Sequence, residues 1–98
     1  MTVPGEPDVA GRLQRALDAF QKAKAMLLAA HRKLKELSPE EVDRFWRAPG
    51  ARLEEHLNIA ASEVLAAFKA FSAAGLVASA HDRHLVSEAQ RHLAGGDR

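Results

Sequence analysis

Imidazole and carboxylate side chains are the groups in this sequence best suited to hold a metal ion, and their tightest run lies near the C-terminal end. His84, Glu88 and His92 fall four residues apart, with His81 shortly before. That spacing brings side chains onto one face of a helix, where they can chelate a divalent ion such as Zn²⁺ or Ni²⁺. The same pattern describes a solvated flank beside a Leu85, Ala89 and Leu93 stripe. No second cluster is available to complete a tetrahedral shell, and cysteine is absent. The expectation is no bound metal and no cofactor, with His84, Glu88 and His92 as the ligands to check.

Other reactive arrangements are poorer. His31 is followed by Arg32-Lys33-Leu34-Lys35-Glu36, which resembles histidine phosphotransfer bundles in helical setting. Those carry leucine two residues after the histidine and then lysine and glycine. Here leucine comes at three and Glu36 replaces the glycine, so phosphotransfer is not expected. Arg44 and Arg47 lie in a short middle segment, and the helix order is similar to that of small all-helical chorismate mutases. No acid directly follows either arginine, so their dicarboxylate pocket is not expected. Trp46 is placed like the tryptophan of small secreted hairpins with a Trp-x-Gly turn, but glycine follows only at Gly50 and tyrosine is absent. No nucleophile motif, phosphate-cradling loop or isolated acid–base pair appears. No catalytic residue is assigned, and the chain reads as a non-enzyme.

Charge gives little direction. Fourteen Lys and Arg against thirteen Asp and Glu leave a net charge of +1, too small for a global field that attracts polyanions. Between Ala19 and Lys35 the cations Lys22, Lys24, Arg32, Lys33 and Lys35 occur without an acid. On a helical wheel Lys22 and Lys33 flank one side of the apolar seam, Lys24 and Lys35 the other, and Arg32 points away. Nucleic-acid binding would want one surface and exposed aromatic or amide groups. It is kept as the alternative, needing Arg15, Lys22 and Lys33 to combine with cations of another helix.

The elements that position these groups are helical. Twenty alanines and only eight β-branched residues in 98 favour helix over strand. Asp8 reads as an N-cap, after which Val9, Leu13, Ala16, Phe20, Ala23, Leu27, Ala30, Leu34 and Leu37 alternate by four and three. This predicts a first helix of about thirty residues, roughly 45 Å long. Ser38-Pro39-Glu40-Glu41 is a capping-box start for a short helix carrying Val42, Phe45 and Trp46, and Ala48-Pro49-Gly50 interrupts it. A third helix from about Ala51 to Ala74 carries Leu53, Leu57, Ala60, Val64, Ala67 and Phe71, widened by Ala61, Leu65, Ala66 and Phe68. Gly75 is the expected left-handed stop. Ser79 with Asp82 caps a last helix that buries Leu85, Val86, Ala89 and Leu93.

The fold class is therefore all-α, a small antiparallel helical bundle, with residues 1–98 as a single domain and 1–7 and 95–98 as unordered ends. Glu63 and Lys69 interrupt the most apolar window, so no membrane span is expected. The first residues lack a positive start and apolar run, so a cytoplasmic location is the expectation. The alanine-rich seams bury little area per residue, so the bundle is expected to be completed by another chain. The function read from the sequence is a protein–protein interaction module acting through the apolar faces of the first and third helices, as a homodimer or with a partner protein.

Overall fold

The computed structural model describes residues 8–95; the expected unordered segment 1–7 and residues 96–98 lie outside them. Four helices, and no strand among the described residues, make up the chain: α1 (Val9–Leu34), α2 (Pro39–Arg47), α3 (Pro49–Ala73) and α4 (Ala80–Ala94). The all-α bundle is as read. No helix of the described residues is long and apolar enough to cross a membrane.

Helix α1 begins where the Asp8 carboxylate accepts the Gly11 N–H at 2.9 Å. It ends three residues before the expected Leu37. Ser38 is extended (φ −69°, ψ 159°), as a residue preceding proline prefers to be. Residues 35–37 are drawn into tight turns, with the Glu36 and Leu37 N–H groups donating to Lys33 and Leu34 carbonyls at 3.1 Å. The capping box of α2 is complete. The Glu41 N–H donates to Ser38 Oγ at 3.3 Å, and the Ser38 N–H donates to Glu41 Oε1 at 3.2 Å.

The expected interruption at Ala48-Pro49-Gly50 shrinks to one residue. Ala48 (φ −132°, ψ −78°) closes α2 and opens α3. Pro49 suits the first helical position because its missing N–H would lack an intrahelical partner there anyway. Gly50 is buried, and a Cβ there would lie 2.3 Å from the Trp46 ring and 2.8 Å from the Phe45 ring. The absent side chain lets α2 fold its aromatics down onto the first turn of α3.

The stop at Gly75 is as expected. Its φ is +81°, and the Gly75 and Leu76 N–H groups donate to the Ser72 and Phe71 carbonyls at 3.0 and 3.3 Å. Ser79 Oγ accepts the Asp82 N–H at 3.1 Å. Gly95 is the left-handed cap of α4 at φ +68°.

Helices α1 and α3 run antiparallel and form the main contact, with α4 laid chiefly on α3 and reaching α1. The core consists of Leu13, Ala16, Leu17, Phe20 and Ala23 against Leu57, Ala60, Ala61, Val64 and Ala67, closed by Leu85, Val86 and Ala89. Leu17 lies outside the expected seam yet is only 2% exposed, because α1 faces two helices and needs a wider stripe. Conversely, Leu93 and Ala66, expected inside, are exposed. Extents of 56 × 26 × 18 Å and a radius of gyration of 16.4 Å, against about 13 Å for a globule of this length, reflect two long helices lying side by side.

Candidate interaction groove

The α1–α3 pair has two sides. Its front side is marked by the contacts with α4. Lys24 pairs with Glu88, Gln14 donates to Asp82 at 2.9 Å, and His92 Nε2 meets Asn58 Oδ1 at 2.6 Å. Its back side is marked by Arg12, which donates from Nε and Nη2 to Glu63 at 2.8 and 3.0 Å. On α3, Arg52, His56 and Ile59 share the stripe of Glu63 by helical spacing; on α1, Ala19, Met26 and Ala30 share that of Arg12. No helix of the described residues covers this back side.

Toward the end where α1 finishes and α3 begins, the back side opens into a groove of about 490 Å³. Its wall on that side is Met26, Ala29, Ala30, Lys33 and Leu34 of α1 with Leu37 of the following turn; Phe45 of α2 and Leu53 of α3 close it. Lys33 is the one charged residue among these. Met26 is 52% and Leu37 39% exposed, and Ile59 on the same side is 61% exposed. Isolated exposed apolar side chains are ordinary, whereas a contiguous concave set marks a site of interaction. Three features of the sequence place the groove there. The Ser38-Pro39 turn sends α2 across the end of the pair, Gly50 lets Phe45 approach α3, and α4 ends near Asn58, nine residues past the start of α3.

A second cleft, about 470 Å³, lies on the front side beyond the end of α4, lined by Leu27, His31, Glu54, Asn58, His92, Leu93 and Gly95. His31 also packs on Trp46, with ring centroids 5.0 Å apart.

The candidate metal ligands do not converge. His84 Nε2 lies 3.1 Å from Glu88 Oε1, but Glu88 is also engaged by Lys24 and His92 turns away to Asn58. Among the described residues no three His, Asp or Glu side chains are grouped to hold a metal ion. The hydrogen bond from Lys24 holds the Glu88 carboxyl below the usual glutamate range, against the opposing effect of burial, with further help from the Lys24, His84 and Arg91 charges. Glu63 is lowered in the same way, first by the hydrogen bond from Arg12.

The basic residues divide as the wheel implies. Lys24 is drawn to the front by Glu88, while Lys33 lines the back groove. Lys22 precedes Met26 by one turn on that side, and Arg15 lies 3.8 Å from Asp8. The groove itself left little trace in the sequence. Met26 and Ala29 stand outside the apolar seam, and only the direction taken by α4 after Gly75 decides which side of α1 stays open. Comparison with protein-family models, with curated proteins and with solved structures gave no match.

Proposed function

We propose that the chain is a non-catalytic protein–protein interaction module that receives a helix from another polypeptide in the back groove of the α1–α3 pair. The observation that carries this reading is the groove itself, a concave apolar surface with Met26 and Leu37 substantially exposed. Helix-in-groove recognition reads anchors spaced at i, i+3 or i+4, and i+7, and methionine adapts to varied anchors. Cytoplasmic action belongs to the same proposal and rests on the sequence alone.

The reading is tested with a panel of amphipathic helical peptides of differing charge, together with light scattering of the chain alone. Binding of any panel member, or self-association, that disappears in a Met26→Glu, Leu37→Glu double variant of unchanged helicity supports it. A strict monomer that binds no panel member contradicts it.

A further inference from the structure

We infer that the helix received along the groove's α1 wall is α1 of a second copy of this chain, running antiparallel to the first about a two-fold axis at the level of Ala25 and Met26. This inference rests on the interaction-module reading and names the partner for the same site. Met26, Ala29 and Lys33 line the groove. Helical spacing continues them along the side of α1 turned away from the core, through Lys22 and Asp18 to Arg15 at one end and to Glu36, just past the helix, at the other. Every one of these residues is exposed. The stripe carries both signs of charge, so neither an acidic nor a basic helix is its complement. Across the groove, Arg52 and Glu55 are likewise opposite in sign and leave the α3 rim neutral.

The order of the charges along the stripe favours a second copy. Asp18 and Lys33 stand equally far from the midpoint between Ala25 and Met26, about 11 Å along the axis on either side. Arg15 and Glu36 are again equally far from it, nearly one turn farther out. Reversing the stripe therefore sets Asp18 against the partner's Lys33 and Arg15 against the partner's Glu36, and two-fold symmetry repeats both pairs. Lys22 meets the partner's Ala29, over which its methylene stem can lie. Between the charges, Ala25, Met26 and Ala29 form a small apolar centre, and small side chains at the contact let helix axes approach closely. A parallel arrangement would oppose Asp18 to Asp18 and Lys33 to Lys33, and like charges in juxtaposition disfavour pairing. Among the described residues Asp18, Lys33 and Glu36 take part in no ion pair, and Arg15 has only its 3.8 Å contact with Asp8.

The test is sedimentation equilibrium of the full chain at low salt, with the charges reversed one at a time. Asp18→Lys and Lys33→Asp each oppose like charges across the axis and should weaken the dimer about tenfold. An equimolar mixture of the two variants should associate as tightly as the unaltered chain, because positions 18 and 33 then carry opposite signs in both pairs. The differences should shrink as salt rises. Lys35→Asp, on the other flank of α1, should leave association unchanged. Circular dichroism checks that each variant keeps its helices.

A dimer indifferent to the single reversals, or one not restored on mixing the variants, overturns the antiparallel α1 pairing and leaves the interaction module standing. A chain that stays monomeric but binds an amphipathic helical peptide does the same by assigning the groove to a different protein. A monomer that binds no peptide overturns both readings, including one that binds duplex DNA or RNA through Lys22 and Lys33.

Discussion

The two sides of the α1–α3 pair are built from the same alanine-rich seams and end in opposite states. On the front, α4 seals the core and supplies a polar partner to Lys24, Gln14 and Asn58. On the back, Arg12 and Glu63 satisfy one another, and the apolar residues beyond them remain open to solvent. The difference teaches that core and recognition surface need not differ in composition. They differ in whether the chain returns to cover them, and α4 returns on one side only.

This comparison predicts a large separation in stability effects. Phe20 is 1% exposed at the centre of the sealed side, and Phe20→Ala should destabilise the fold by about 3–5 kcal/mol through lost burial and a residual cavity. Met26→Ala, on the open side, should change stability by only about 0.5 kcal/mol while weakening peptide binding. Urea denaturation of both variants measures the contrast; comparable losses would place Met26 in the folding core.

Gly50 links the two sides, because, of the two aromatics resting on it, Phe45 closes the back groove and Trp46 packs on His31 of the front cleft. Gly50→Ala forces a Cβ into the Trp46 and Phe45 rings and should cost about 1–3 kcal/mol. A shift in Trp46 fluorescence should accompany the loss, since α2 must lift from α3. Ser38→Ala removes only the α2 cap and should cost about 1 kcal/mol, with the α1–α3 core unchanged by amide exchange.

The smallest effect is electrostatic. The Glu88 and Glu63 carboxyls are held below the usual glutamate range, first by hydrogen bonds from Lys24 and Arg12. A depressed folded value means that the contribution is present above the unfolded pKa and is lost as pH falls through the folded one. Stability should therefore decline from about pH 5 downward, and Glu88→Gln should flatten part of that decline. Thermal melts across the acid range check the sign. A decline of the same size in Glu88→Gln would show that the front ion pair contributes nothing.

Much of this framework is legible in the residues, because local rules write it. Ser38-Pro39-Glu41, Gly75 and Ser79 mark helix ends through backbone hydrogen bonding that needs no tertiary knowledge. The α1–α3 pairing follows from two long apolar seams. What was not legible depends on packing. Leu17 is buried because α4 arrives on its side of α1, and Leu93 is exposed because α4 ends beside Asn58 with no helix beyond it. The single-residue Ala48 joint depends on Gly50 lying beneath two rings. The open groove is the sum of these choices, and no local pattern around Met26 announces it.

The most direct test of the account is a two-dimensional NMR titration of the labelled chain with an amphipathic helical peptide. Shifts confined to residues 22–37, Phe45 and residues 52–59, with Lys24 remaining paired to Glu88 and the α4 amides unmoved, are the predicted result. Shifts centred on α4, or none at saturating peptide, would contradict the assignment of the back groove as the recognition surface.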